Sequence, residues 1–475
     1  MKLLRVIIPS LIAAWWMLSM NSCKKESLLN SGGELRFSTD TLTFDTVFTQ
    51  YASFTLGIKI FNPQNQRVKV SNVRMEKGNN SFFNLNVDGV AGKSVNDIDV
   101  AANDSFYVFA TVNIDPTNEN NPFIVEDRLI ATLNGKEFSI PVFAYGQNVH
   151  YIVDSVINQN TTWVNDKPYV ILHSAAVDAG ATPTITAGCK KYMHQDSRLY
   201  VLGKLLASGT KQDSIIFQGD RLDRAYFGYE GYPGEWGGIY FDSSSTGNVL
   251  DWVVIRNGGN NAGGGLPFAL EVYGQPGIGT QLTMNNTIIE NSIGYGILSF
   301  TGNIKAQNCL VHTTGAQALA ILQGGTYSFD NCNFLNYGTD KVKHIDANNP
   351  TVAVLNYFDV SQTQRYVSDV SANFRNCILF GSLEEEVFCN RDDNANYNVS
   401  FSNCILKAKE AFPAYVTLTN AKINDNPLFK DISKWDYHLA EGSPAIDEGI
   451  SISPISNDLD DEPWSLPLDI GCYQF

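Results

Sequence analysis

The chain has 475 residues, 44% of them hydrophobic and 17% charged, which is enough apolar material for more than one buried core. Its formal charge of −16 argues against a nucleic-acid partner, against direct adhesion to anionic lipid, and against strongly anionic glycans unless a cation bridges them. The eight cysteines and six histidines show no C-x-x-C or H-x-x-x-H spacing, so no transition-metal site, and no cofactor, is expected.

The first residues, "MKLLRVIIPSLIAAWWMLSMNSC", place Lys2 and Arg5 before an apolar stretch, then small and polar residues before Cys23. That order marks an export signal over 1–22 rather than a structural helix. A Cys directly after the apolar region, with Leu18 to Ser22 ahead of it, resembles the lipobox of bacterial lipoproteins. The resemblance implies cleavage before Cys23, acylation of its thiol, and an outer-membrane lipoprotein facing the periplasm or the cell surface. Simple secretion with cleavage nearby is the alternative. Nothing after Cys23 approaches the ~20 continuous apolar residues of a spanning helix, so membrane attachment is expected through lipid alone. Seven cysteines then remain, and an odd number leaves at least one thiol unpaired in an oxidising compartment.

After a polar linker (23–34), residues 35–148 alternate apolar and polar positions in short runs: "LRFS", "SFTLGIKIFN", "RVKVSNVRM", "FFNLNV", "DSFYVFATVNI", "RLIATLN" and "EFSIPVFAYG". Asn, Gly, Asp and Pro break these runs, the pattern of an all-β sandwich. "NGKE" at 134–137 predicts a hairpin turn, because Asn-Gly accepts positive φ. The stretch resembles the immunoglobulin-like accessory domains that precede repeat domains in exported proteins, which implies a spacer or docking module.

From 149 to 425 the chain repeats itself. "AQNCLVH", "FDNCNFL", "FRNCILF" and "FSNCILK" share an Asn-Cys step, and "MNNTIIE" fits the same frame. Counted from Asn308 through Asn331 and Asn376 to Asn403, with Asn286 before them, the intervals are 22, 23, 45 and 27 residues. The interval of 45 is read as two turns. A period in the twenties marks a solenoid. Strand alternation puts each Cys, and the apolar residue two later, on an inward face. The Asn sits at a corner, where it tolerates the left-handed conformation better than other side chains. Cysteine here behaves as a small buried hydrophobe, so the recurrence is scaffolding rather than metal or redox chemistry. A leucine-rich repeat would need a regular Leu lattice, and a propeller a period near 40.

This stretch resembles right-handed parallel β-helix proteins, in which each coil carries three short strands. "LYVLGKLLASGT" and "SIIFQGDR" resemble their entry coils. Asp251-Trp252 is placed where Asn-Cys stands later, and "NGGNNAGGGLPF" is read as an insertion. The final segment, 426–475, resembles the closing segment of surface β-helix proteins through "PLF…YHL…SPAIDEG…DIGCY", with Pro444, Asp447, Gly449, Asp469 and Gly471 in the matching positions. It is expected to cap the last coil, since open coils invite edge pairing. "NDLDDE" at 457–462 could hold calcium, but an acidic surface turn is the simpler reading.

Two stretches are candidates for function. "EEEVFCNRDDNANYN" gathers Glu384, Glu385, Glu386, Arg391, Asp392 and Asp393 in what reads as a protruding loop, functional or merely solvated. "RAYFGYEGYPGEWGGIYF" gathers Tyr226, Phe227, Tyr229, Tyr232, Trp236 and Tyr240, rings of the kind that stack on sugar faces or else pack on the coil. The ligand-binding candidates are Tyr229, Tyr232, Trp236, Asp392 and Asp393. No catalytic residue is named, because no catalytic motif of a β-helix lyase or hydrolase can be matched residue by residue.

The expectation is therefore an all-β chain: an Ig-like sandwich, then a capped right-handed β-helix. The functional reading is a non-catalytic envelope lipoprotein that binds polysaccharide or another surface protein. A polysaccharide lyase or glycoside hydrolase is the alternative, and an adhesin is the third reading.

Overall fold

A computed structural model describes residues 27–51, 53–116, 122–222, 231–261, 264–452 and 456–475. Cys23, on which the lipid-anchor expectation rests, lies outside the described residues. The chain divides into two compact units, at Asn148 and Val149.

The first unit is a sandwich of two five-stranded sheets. One sheet runs Arg36–Phe37, Leu56–Phe61, Ser105–Val112, Phe83–Val87 and Val90–Gly92. The other runs Leu42–Phe48, Lys136–Gln147, Phe123–Leu133, Val68–Met75 and Ser94–Val100. Inward residues of both, such as Phe44, Ile60, Val70, Val108 and Leu129, form one core. The Asn134-Gly135 turn takes φ of 48° and 82°, joining Leu133 to Lys136 as a two-residue hairpin. Three strands escape the sequence pattern: Leu42–Phe48, Val90–Gly92 and Ser94–Val100. The last reads "SVNDIDV", in which four polar residues mask three inward apolar ones.

The second unit is a right-handed parallel β-helix, built on a 26-stranded parallel sheet that starts at His150–Ile157. Each coil contributes to three strand columns. In one coil the first, second and third columns hold Phe268–Tyr273, Leu282–Asn285 and Ile288–Ser292. Two long strands, Tyr295–Gln307 and Leu319–Asp330, bend to serve the first and second columns in turn.

The corner between the second and third columns is the recurring Asn. Asn286, Asn308, Asn331, Asn376 and Asn403 have φ between 46° and 51°. Residues in front of them stack in register: Met284, Ala306, Phe329, Phe374 and Phe401. The three phenyl rings lie 5.0 and 4.8 Å apart and nearly parallel. Cys309, Cys332, Cys377 and Cys404 are buried in the same core, and all seven described cysteines are unpaired thiols. Asn420, with φ 51°, is a further corner of the same kind; Ala421 follows it where the other copies have Cys.

Two register expectations are corrected. The 45 residues between Asn331 and Asn376 make one coil, not two, because Phe329 pairs directly with Phe374. The extra length lies in insertions at 337–351 and 356–369. The second carries an antiparallel hairpin, Tyr357–Ser361 with Gln364–Val367. Asp251 pairs with Asn285, so Trp252 (φ 51°) holds the corner and Val253 the Cys position, one step later than expected. A left-handed Trp is uncommon enough to hide the register.

The capping function is divided. Phe412 and Tyr415, from the connection after Ile405–Leu406, pack against the core of the last coils. The C-terminal segment instead runs back along the Asn corners as a clasp. Asn403 Nδ2 donates to Glu448 O at 2.8 Å, Asn376 Nδ2 to Ile450 O at 2.8 Å, Asn331 Nδ2 to Gly471 O at 3.1 Å and Asn308 Nδ2 to Asn457 O at 2.6 Å. Tyr437, Leu439, Ile470 and Cys472 join Leu310, Leu335 and Ile378 in a separate core outside the third column.

Candidate functional site

Alternation in the first column sends Leu199, Ile239 and Leu270 inward, so their neighbours Tyr200, Tyr240 and Glu271 stand outside, paired in register on consecutive coils. The next residues of this column are Leu298 and Ala320. The rings of Tyr200 and Tyr240 meet edge to face at 5.9 Å. Tyr273, two positions past Glu271, is 44% exposed, and its ring lies 5.9 Å from Phe300. Phe300 in turn meets Phe358 of the inserted hairpin at 5.0 Å. Phe268, Leu298, Phe300, Ala320 and Leu322 form a small apolar layer of their own outside the sheet. The tyrosines and Glu271 thus form a strip that ends against an apolar ridge.

Glu271 is half-buried, and burial pushes its carboxyl up to about 7 against the opposing pull of Arg198. Arg198 is itself buried: Nε donates to Gly237 O at 2.9 Å, the guanidinium lies 4.3 Å from the Phe268 ring centre, and Nη2 has no partner. Burial, together with Asp242 and Glu271, pushes the Tyr240 hydroxyl up to about 12. Asp242 is held at the following turn by the Ser244 backbone N–H at 3.0 Å. The strip therefore offers flat phenol faces, hydroxyl groups, and a carboxyl that changes protonation near neutrality. Such groups can stack on sugar rings and hydrogen-bond their hydroxyls.

The described residues among those expected to bind ligand do not come together. Tyr226, Phe227 and Tyr229 lie outside the described residues. Tyr232 is 46% exposed beneath Lys341, whose Nζ stands 4.7 Å from its ring centre and donates to Gly231 O at 2.8 Å. Trp236 is corrected: it is fully buried in the solenoid core, with Nε1 donating to Arg256 O at 2.9 Å, and cannot stack on a ligand. Its bulk fills the coil where "GGI" brings the backbone close. Among the described residues of that stretch, Tyr240 alone joins the strip.

The acidic stretch is not one protruding loop either, because Val387–Asn390 is a first-column strand. Glu386 is fully buried and accepts from Leu383 N, Thr351 N, Thr351 Oγ1 and His344 Nε2, which ties down the 337–351 insertion. Glu384 pairs with Lys409 at 2.9 Å. Asp392 accepts from Arg365 at 3.1 Å and from Asn394, and Asp393 pairs with Arg391 at 2.9 Å.

In the acidic turn at 457–462, Asp458 accepts from the Asp460, Glu462 and Gln474 backbone N–H groups, and Asp460 from His438 and Lys211. The Asp458 and Asp460 carboxylates are thus engaged in holding the clasp. Among the described residues, no three His, Cys, Asp or Glu side chains converge as metal ligands. No described helix is long and apolar enough to cross a membrane.

The missed strip left a weak signal. Tyr200, Tyr240 and Glu271 are 40 and 31 residues apart, so no fixed period aligns them, and only the strand pairing does.

Residues 194–334 match the family model for a right-handed beta helix region. No curated protein matches the chain. Among solved structures, the chain is similar to the catalytic domain of a GH87 alpha-1,3-glucanase in complex with tetrasaccharides, at 10% identity and a TM-score of 0.25, over 77% of this chain and 86% of that one. It is also similar to a family 123 glycoside hydrolase from Clostridium perfringens, at 11% identity and a TM-score of 0.18, over 26% of each chain. A third similar structure is the Pseudomonas fluorescens alkylpurine DNA glycosylase AlkC, at 8% identity and a TM-score of 0.16, over 24% of this chain and 31% of that one. The chain thus spans about a third or less of the length of the last two.

Proposed function

We propose that the protein is a non-catalytic cell-envelope lipoprotein, tethered through acylated Cys23, that binds carbohydrate on the outer face of its first strand column. The observation that carries this reading is the strip of Tyr200, Tyr240 and Glu271, stacked on consecutive coils with Tyr273 two positions past Glu271, beside an apolar ridge. The paired rings of Tyr200 and Tyr240 offer aromatic faces with hydroxyl tips, which suit sugars. The test is a glycan array with the wild type and the Tyr200→Ala plus Tyr240→Ala pair. Retention that survives the pair unchanged rejects this face, and binding to whole cells stripped of glycan supports an adhesin instead. Labelling with an alkyne fatty acid, lost in Cys23→Ser, tests the anchor.

Glycan cleavage is the second reading, favoured by one observation: Glu271, at about 7, could exchange a proton with a glycosidic oxygen. New reducing ends, abolished in Glu271→Gln, would establish it over simple binding.

A further inference from the structure

Beyond the strip, the connection from the first column to the second varies sharply in length. In two adjacent coils it is a tight bend at Thr301 (φ 53°) and at Gln323 (φ 64°) with Gly324. In the coil before, it is the loop 274–281; in the coil after, the insertion 356–369. The two long connections are walls, and the two short ones are the floor of a cleft of about 440 Å³, within the range of small-molecule sites.

The cleft is preformed. Gln281 is fully buried; its Nε2 donates to Tyr273 O at 3.1 Å, and its Oε1 accepts from Asn303 N at 3.2 Å. Asn303 Nδ2 donates to Ile278 O at 3.0 Å, fixing the first wall to the floor. Across the cleft, Asp369 accepts from the backbone and side-chain nitrogens of Asn396 at 2.8 and 3.1 Å. The floor is close-packed at its glycines: a Cβ on Gly325 (φ 120°) would meet Gly302 O at 2.4 Å. Tyr273 directly precedes the first wall, so the strip ends beside the cleft.

We infer that this cleft is a saccharide subsite beside the tyrosine strip, and that it takes a neutral sugar rather than a uronic acid. The inference rests on the glycan reading above and adds the place and class of the sugar. The polar lining is amide, hydroxyl and backbone, as at Gln275, Thr301, Asn303 and Thr326, beside the apolar side chains of Ile278 and Val367; among the described lining residues Asp369 is the one carboxylate and there is no Lys, Arg or His. The hydrogen bonds from Asn396 keep Asp369 ionised. Arg365, the cation of the neighbouring hairpin, is engaged by Asp359 and Asp392. A uronate would lose hydration beside a carboxylate with no counter-charge, whereas sugar hydroxyls find both donors and acceptors.

The test is calorimetry in EDTA with neutral gluco-, manno- and xylo-oligosaccharides against oligogalacturonate and oligoguluronate. Thr326→Trp, exposed on the floor, fills the cleft, and Gln275→Trp fills it from the opposite wall should the first lower the Tm. The expected result is that a neutral oligosaccharide binds, that uronates bind at least tenfold more weakly, and that the cleft variants lose at least tenfold at unchanged Tm. Wild-type affinity in both cleft variants, with loss in the Tyr200→Ala plus Tyr240→Ala pair, overturns the cleft and leaves the strip standing. Equal or tighter uronate binding overturns the neutral class. No binding to any glycan overturns the reading beneath both.

Discussion

Asn376 Nδ2 donates to Asn331 Oδ1 at 3.2 Å although 45 residues separate them in the chain. The same Nδ2 donates to Ile450 O at 2.8 Å, and Asn376 Oδ1 accepts from Ile450 N at 2.9 Å. One buried side chain thus joins two coils to each other and both to the C-terminal clasp. Asn376→Ala leaves the Ile450 backbone groups unpaired and places a less tolerant residue at φ 51°. A loss of about 2–4 kcal/mol in urea unfolding is expected. Asn376→Gly relieves the φ cost but not the lost bonds, so it should recover about 1 kcal/mol of that. Equal stability of all three forms would deny the corner its role.

The thiols should be inert until the coil opens. Burial raises Cys309, Cys332, Cys377 and Cys472 well above the ordinary thiol value and pushes Cys389 up to about 12. Iodoacetamide at pH 8 should modify none of the seven described cysteines in the folded protein and all seven in denaturant, as read by mass spectrometry. Rapid labelling of Cys332 or Cys377 in the native state would contradict the stacking.

The sequence carries the solenoid plainly because inward positions are constrained twice, by burial and by the identical position one coil away. Phe329, Phe374 and Phe401 had to match each other, and the Asn corner recurs because left-handed geometry admits few side chains. Outward positions carry no such constraint. Tyr200, Tyr240 and Glu271 meet only through pairing across coils of unequal length, so their alignment is invisible in a linear reading. Composition also misleads in both directions: Trp236 is an aromatic beside glycines and proves to be core, and Glu386 stands in a charge run and proves to be a buried acceptor. The clasp was readable as a closing segment, but its path was not, since backbone carbonyls accept its bonds and carry no sequence signature.

The clasp should be pH-sensitive at His438. Its Nε2 and Nδ1 lie 2.6 Å from Asp460 and 2.6 Å from Asp436, and Lys211 Nζ also reaches Asp460. Asp460, opposed by burial and helped by Asp436, raises the imidazole above its ordinary 6.5, and His438 with Lys211 lowers Asp460 to about 2. A raised histidine contributes stability in full below 6.5 and loses it as pH rises through its folded value; a lowered aspartate contributes above 3.8 and loses it as pH falls toward 2. The segment 456–475 should therefore exchange amide hydrogens more slowly at pH 6 than at pH 8.5, after correction for intrinsic rates. His438→Gln should remove that difference. A difference that persists in the variant would place the sensitivity elsewhere.

Glu271 gives the same sign as His438, and the opposite of Asp460: stability falls as pH rises. Its carboxyl is raised to about 7 from an ordinary 4.5, chiefly by burial, so the folded state holds the proton more tightly than the unfolded chain. The stability this provides is complete below 4.5 and is lost as pH rises through 7, where a half-buried carboxylate must ionise with Arg198 as its counter-charge. Glu271→Gln should consequently raise the Tm at pH 8 by about 2–4 °C and leave it nearly unchanged at pH 4.5. In the wild type, ¹³C NMR should give a carboxyl midpoint near 7, shifted by a bound oligosaccharide that touches the strip. The ionised form offers more acceptor positions to sugar hydroxyls than the protonated one, so affinity should climb from pH 6 to pH 8 in the wild type and stay flat in Glu271→Gln. A midpoint near 4.5 would mean that water reaches this carboxyl freely, and the strip would then lose the one group that distinguishes it from an ordinary solvated face.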